Sequence, residues 1–322
     1  MADVAAVIIG RNEGARLIAC LASMGQGFAR IIYVDSGSTD GSLAAARDAG
    51  AEGIALDMER PFTAARARNT GIAALKAGDA PDFVQFIDGD CILDPRWVPV
   101  ALEFITKRPK VAAVCGRLRE RFPEASIYNR LCDAEWDTPI GQAKACGGIA
   151  MMRWEALEAV GGFNPELIAG EEPEMCLRMR RLGWQIWRID AEMALHDAAM
   201  LRFGQFWKRA RRGGYAYAQG AAMYGRAPER HGVAGVQRIV LWGAVIPVLT
   251  LLGIGVFGPI ALSMLALYPL QMVRIARRKG ATRAAWEQAT LLTVGKFAEL
   301  QGIGDYLWRR WRARDAELIE YK

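Results

Sequence analysis

Residues 83 to 90 read Phe83-Val84-Gln85-Phe86-Ile87-Asp88-Gly89-Asp90, an apolar run of strand length that ends on two carboxylates separated by one glycine. Asp88 and Asp90 then project beyond the edge of a sheet, and Gly89 lets the backbone turn between them. Upstream of this run, Val4 to Ile9 and Ile31 to Val34 also read as buried strands. Gly14 to Met24, Gly41 to Ala49 and Ala64 to Lys76 have helical spacing, and Trp97 to Lys107 and Val111 to Val114 add a helix and a strand downstream. Alternation of this kind argues an α/β fold: a Rossmann-like, mostly parallel sheet with helices on both faces. Ligands of such sheets bind beyond the carboxyl ends of the strands, which is where Asp88 and Asp90 fall.

A carboxylate pair at a strand exit can hold Mg2+ or Mn2+ through oxygen while the metal also contacts a diphosphate. Taken alone, the same three residues also make an ordinary solvated turn. A second exit supplies context: Tyr33-Val34-Asp35-Ser36-Gly37-Ser38-Thr39-Asp40-Gly41-Ser42 carries a carboxylate followed by small polar residues that open a helix. Asp35 is placed to accept hydrogen bonds from a nucleobase or ribose, and Asp40 to fix the loop or cap the helix. The loop lacks the GxxxxGK[ST] pattern and no GxGxxG follows the first strand, so nucleotide binding here uses another scheme.

The second half changes character. Glu155 to Val160 and Glu172 to Leu182 read as helices, and Arg202 to Ala222 is basic and aromatic; Phe203 to Arg212 reads as an amphipathic helix suited to an interface. Pro228 and Gly232 mark a linker. Ile239 to Val273, roughly 35 residues, carries no charge, whereas one membrane-spanning helix needs about 20. Two helices joined near Gly258-Pro259 fit better than one. Lys208, Arg209, Arg211, Arg212, Arg226, Arg230 and Arg238 precede the run, and Arg274, Arg277, Arg278, Lys279 and Arg283 follow it. Cations on both flanks put both in the cytoplasm, which requires an even number of passes or a re-entrant hairpin; a buried hairpin of a soluble domain is the alternative. Trp308-Arg309-Arg310-Trp311-Arg312 suits a headgroup layer. The division expected is a catalytic domain over 1–222 and a membrane-associated region over 223–322, with an apolar hairpin at about 239–275 and interfacial C-terminal helices over 282–322.

Of 322 residues, 52% are hydrophobic and the formal net charge is +6. Because the cations cluster beside the apolar run, they point to a membrane surface rather than to nucleic acid. The six cysteines form no CxxC pair, which supports neither a zinc site nor a disulfide scaffold and fits a reducing compartment. No secretory signal opens the chain.

The two acidic loops, together with Val7-Ile8-Ile9-Gly10-Arg11-Asn12-Glu13 and Ala67-Arg68-Asn69-Thr70-Gly71, resemble the family 2 glycosyltransferases of the GT-A fold, in the family's order. Cys146-Gly147-Gly148, Gly161-Gly162-Phe163 and Gly170-Glu171-Glu172-Pro173-Glu174, followed by Arg178 and Gly183-Trp184, resemble its acceptor-side elements, and the likeness spans about residues 4 to 220. The resemblance implies a nucleotide-sugar site of Gly10, Arg11, Asn12, Glu13, Asp35, Ser36, Gly37, Arg68, Asn69, Asp88, Gly89, Asp90, Gly147 and Gly148. Within it Arg68 lies near the diphosphate, Asp88 on the ribose or a metal-bound water, and Asp90 on Mn2+ or Mg2+. It puts Glu172 at the catalytic base, with Glu171 beside it; the family commonly has Asp at that position, so which of the two faces the acceptor is open. His196 is either a further metal ligand or a loop histidine bonded to backbone.

The function expected is inverting transfer from a nucleotide diphosphate sugar, UDP-linked by preference, to a hydroxyl of a polyprenyl-diphosphate-linked saccharide at the inner membrane, in exopolysaccharide or envelope glycan synthesis. The tail Ile319-Glu320-Tyr321-Lys322 resembles that of bacterial polysaccharide-assembly members. A polyprenyl-phosphate sugar synthase, whose acceptor is already an anion, and a noncatalytic membrane protein that binds nucleotide sugars are the alternatives.

Overall fold

A computed structural model describes residues 2–312; the tail Ile319–Lys322 lies outside the described residues. In chain order the elements are β1 (Val4–Gly10), α1 (Ala15–Ser23), β2 (Arg30–Asp35), α2 (Ser42–Asp48), β3 (Glu52–Ala55), α3 (Ala64–Lys76), β4 (Phe83–Asp88), β5 (Cys91–Leu93), α4 (Trp97–Thr106), β6 (Val111–Glu120), α5 (Ile127–Trp136), β7 (Gly141–Ala143), β8 (Ala150–Arg153), α6 (Trp154–Ala159), α7 (Glu171–Arg181) and β9 (Gln185–His196). Helices follow: α8 (Phe203–Tyr224), α9 (Val233–Val240), α10 (Ile246–Phe257), α11 (Leu267–Arg278) and α12 (Arg283–Trp311), with a 3-10 segment (Gly258–Ala266) between α10 and α11.

The strands form one sheet in the order β3-β2-β1-β4-β8-β6-β9-β5, with β7 on β9. From β3 to β4 all pairings are parallel. The sheet as a whole is mixed, because β8 runs antiparallel between β4 and β6. The core strands read as continuous apolar runs since both faces are covered: Val4 to Ile8 and Val84, Phe86 and Ile87 are buried. Helix α3 lies unusually close to β1. A Cβ on Gly71 would fall 2.4 Å from Val7 Cγ1, so only glycine allows that approach.

The chain divides into two compact units, residues 1–122 with 133–198, and residues 123–132 with 199–322. The first holds the sheet and ends at Ala198. In the second, α8 and α12 pack with backbones almost touching: a Cβ on Gly214 would lie 1.9 Å from the Glu299 carbonyl oxygen, and one on Gly302 1.9 Å from that of Arg211. Arg211 also pairs with Asp305, and Trp207 Nε1 donates to Gln301 Oε1 at 3.0 Å. Gln205 caps α8, accepting the Arg202 N–H at 2.9 Å. Val233–Arg278 is the one stretch among the described residues long and apolar enough to cross a membrane, and only 22% of its apolar window is buried. It reverses direction at Gly258, whose φ is +67°.

Candidate active site

The register of the parallel strands brings the acidic loops to one edge. Gly10 of β1 pairs with Asp35 of β2, and Ile9 of β1 pairs with Asp88 of β4. Asp35 and Asp88 therefore leave the sheet on either side of the β1 exit, and the Gly89 N–H donates to the Ile9 carbonyl at 2.8 Å.

The β1 and β2 exits are sewn together. Asn12, at φ +55°, donates its N–H to Ser38 Oγ at 2.8 Å, and its side-chain oxygen accepts the Thr39 N–H at 2.8 Å. Asp35 is 4% exposed. Its Oδ2 accepts the Gly37 and Ser38 N–H groups at 3.1 and 2.8 Å, and its Oδ1 accepts the Tyr33 hydroxyl at 2.9 Å. Burial, with the neighbouring carboxylate, pushes the Tyr33 pKa up, so this hydroxyl stays a donor. Ser36 donates its N–H to the Gly10 carbonyl at 3.0 Å. Arg11 stacks 4.5 Å from the Phe62 ring centroid, and Glu13 pairs with Arg16 at 2.7 Å.

Arg68 of α3 is 3% exposed. It donates to Asp88 Oδ1 through Nη2 and to Glu171 Oε1 through Nη1, each at 2.9 Å. Burial works against its charge, but the two carboxylates outweigh burial and raise its pKa. Gly148 is pressed against this group: a Cβ there would lie 2.7 Å from Arg68 Nη2 and 3.6 Å from Asp88 Oδ2. Gly147 has φ +82°, a conformation that turns the loop at this point. The sequence placed Asn69 beside the nucleotide sugar. Its amide donates to the Phe163 carbonyl at 2.7 Å and accepts the Phe163 N–H at 2.9 Å, and the Phe163 ring centroid lies 5.5 Å from the Arg68 guanidinium.

Asp90 is 4% exposed, and its Oδ1 lies 3.3 Å from His196 Nε2. The β5–β9 pairing sets Cys91 opposite His196, and the Asp197 N–H donates to the Asp90 carbonyl at 3.1 Å. Trp136 meets the His196 ring edge-on, with centroids 4.6 Å apart. Asp90, Cys91 and His196 offer ligand atoms within 4.8 Å of one another. Burial pushes the Cys91 thiol pKa well up. Adjacent corners of an octahedron with metal–ligand bonds of ~2.1 Å are ~3 Å apart, so Asp90 and His196 fit Mn2+ or Mg2+, with Asp88 at the same strand exit.

The two glutamates part company. Glu171 remains partly exposed and bound to Arg68. Glu172 is 4% exposed, and its Oε1 accepts from the Cys146 N–H at 2.6 Å and from the Cys146 and Cys176 thiols at 3.1 and 2.9 Å. Burial raises the Glu172 pKa although these donors oppose it. Sequence reasoning misses the thiol pair, whose sulfurs are 3.7 Å apart. Cys146 beside Gly147-Gly148 and Cys176 four residues after Glu172 are its only local trace.

Acidic loops, a buried arginine and a carboxylate helix end meet at one edge of the mixed sheet. The chain matches Glycosyl transferase family 2 over residues 5–160 and Glycosyl transferase family group 2 over residues 83–276. It belongs to the family 2 glycosyltransferases. The succinoglycan biosynthesis protein ExoA of Rhizobium meliloti (strain 1021) is 26% identical over 192 residues, 56% of this chain and 57% of that protein. The pre-mycofactocin glycosyltransferase of Mycobacterium tuberculosis is 28% identical over 211 residues, 61% of this chain and 43% of that protein. The chain thus spans about half the length of these relatives. Among solved structures, the mannosyltransferase PcManGT from Pyrobaculum calidifontis, in complex with GDP-Man and Mn2+, aligns over 96% of this chain and 90% of its own at TM-score 0.58 and 21% identity. Glucosyl-3-phosphoglycerate synthase from Mycobacterium tuberculosis, in complex with phosphoglyceric acid, aligns over 70% and 81% at TM-score 0.51 and 21% identity. These two likenesses establish the GT-A fold.

Proposed function

We propose that the chain transfers one sugar, with inversion, from a nucleoside diphosphate sugar to a hydroxyl of a lipid-linked saccharide at the cytoplasmic face of the inner membrane. The observation that carries this reading is Arg68 bridging Asp88 and Glu171, with the Asp90–His196 pair on the strand exit beside it. Asp90, His196 and Asp88 would hold Mn2+ or Mg2+, which when bound supplies positive charge against the leaving diphosphate. Arg68 adds a second, water-excluded cation to the same task. The loop of Gly10 to Glu13 and the Asp35 turn form a rigid rim for the nucleoside, and the bare backbone at Gly147-Gly148 lets the sugar approach closely. A carboxylate of the Glu171–Glu172 pair takes the proton of the acceptor hydroxyl as the new bond forms. One displacement at the anomeric carbon inverts it. The apolar hairpin, the flanking cations and the likeness to a succinoglycan biosynthesis protein support a membrane acceptor of exopolysaccharide or envelope glycan type.

The burial of Glu172 favours a second reading, in which the acceptor is a polyprenyl phosphate and needs no base. The test is to incubate detergent-solubilised protein with a panel of nucleotide sugars, UDP-linked and GDP-linked, and lipid extracts, identifying products by mass spectrometry. Transfer to a lipid saccharide that is lost in Asp90→Asn and in one of Glu171→Gln and Glu172→Gln supports the first reading. Transfer to a lipid phosphate that survives both glutamine variants supports the second. A chain that turns over none of the donors in the presence of Mn2+ overturns both.

A further inference from the structure

We infer that the hairpin of α10, the 3-10 segment and α11 enters a single leaflet of the membrane and ends in the hydrocarbon without crossing it. This rests on the membrane attachment proposed above and adds its depth and topology. The hairpin has a structurally marked base. The Tyr268 hydroxyl donates to the Trp242 carbonyl at 2.6 Å, and the Trp242–Tyr268 and Tyr268–Phe297 ring centroids are each 5.8 Å apart. Aromatic side chains with polar tips favour the membrane–water boundary. At that level the first arm is already packed on α12: Ile239 is fully buried, and a Cβ on Gly243 would lie 2.8 Å from the Lys296 carbonyl. Lys296 pairs there with Glu299 at 2.5 Å, a polar pair that belongs at the boundary and not in hydrocarbon.

Beyond the base, the arms lie against each other. A Cβ on Gly253 would meet Ala261 Cβ at 3.0 Å, which fixes the reversal at Gly258. From Trp242 at the base to Phe257 at the tip the helical arm rises about 22 Å at 1.5 Å per residue, against a hydrocarbon core of about 30 Å. The tip is the decisive feature. Val256, Phe257 and Ile260 are 76%, 71% and 72% exposed, and the residues between them are glycine and proline. A tip that reached the opposite headgroups would carry polar or cationic anchors; this one is apolar. Its backbone suits hydrocarbon as well, since the Gly258 N–H donates to the Ile254 carbonyl and Pro259 has no N–H. Both feet bear exposed cations, Arg238 on one and Arg274, Arg277, Arg278 and Lys279 on the other, as an anionic headgroup layer on one face requires.

The test uses the full chain with one introduced cysteine, because all six native cysteines are buried. Phe257→Cys at the tip and Lys279→Cys at the foot are each reconstituted in vesicles of phosphatidylglycerol and phosphatidylethanolamine, with thermal melts confirming that both fold. A membrane-impermeant maleimide is applied from outside, and from both sides after trapping it in the lumen. The inference expects Lys279→Cys to react from one face and Phe257→Cys to react at least about tenfold more slowly from either. It also expects a fluorophore on Phe257→Cys to be quenched most by lipids brominated deep in the acyl chain. Reaction of Phe257→Cys from the face opposite Lys279→Cys would show a crossing hairpin and overturn the inference while leaving membrane attachment intact. Reaction of Phe257→Cys as fast as Lys279→Cys, from the same face and without deep quenching, would overturn the inference and the attachment together.

Discussion

Arg68 sits among groups that change partners during the proposed reaction. Its two terminal nitrogens satisfy carboxylates from β4 and α7, and a diphosphate arriving beside it replaces one set of negative charges with another. Removing the guanidinium strands Glu171 and Asp88 without a counter-charge; Asp88 is one-third exposed and softens the loss. Arg68→Ala is expected to lose stability on the order of 2–3 kcal/mol in urea unfolding, and its transfer rate should fall by at least about a hundredfold. Glu172 gives a prediction with a definite sign. Its pKa is raised in the folded chain by burial, so the folded state holds a proton that the unfolded chain releases. Stability from this group is complete at low pH and declines as pH rises through the elevated folded value. Wild type should therefore lose melting temperature relative to Glu172→Gln, in which no proton is released, as pH rises above the ordinary glutamate range of about 4.3. Equal pH slopes for the two proteins would contradict the assignment.

At the scale of elements, the strand exits were legible because an apolar run that stops on a carboxylate states both the strand and its end. The expected spans of β1, β2, β4, α3 and α7 agree with the structure to within a residue or two. β8 escaped notice: Ala150-Met151-Met152-Arg153 has little β-branched character, and it becomes a strand only because β4 and β6 pair with it on both sides. β9 is hard to read from sequence as well, since Arg188 is buried within it and register shifts break its alternation against β6. Within the site, the acidic loops were readable and the clustering of Cys146, Cys176 and Glu172 was not, because a loop and a helix far apart in sequence meet only after folding. The α8–α12 contact makes its own prediction. Gly302→Ala would drive a methyl into the Arg211 carbonyl, an atom fixed by the helix. Backbone cannot rotate away as a side chain does, so a destabilisation of about 2–3 kcal/mol is expected, read as a lowered melting temperature.

For the whole molecule, the family match that runs from residue 83 to residue 276 takes in both the Asp88 loop and the apolar hairpin. One pattern thus covers the residues of the proposed chemistry and those of the proposed attachment. Chelation is the simplest test of the first. Stripping divalent ions with EDTA is expected to abolish transfer, Mn2+ to restore it, and Asp90→Asn to stay inactive at any Mn2+ concentration that rescues wild type. Full activity after exhaustive chelation would mean that Asp90 and His196 serve architecture alone.

The sulfur atoms carry a separate consequence. Cys20, Cys91, Cys115, Cys132, Cys146 and Cys176 are all interior, and most of them belong to the sheet and the helices laid on it. An alkylating reagent in solution can capture each one only during moments when its surroundings breathe. Mass spectra taken along such a reaction would rank the openings by site, so that the chain carries its own record of which parts of the sheet yield first.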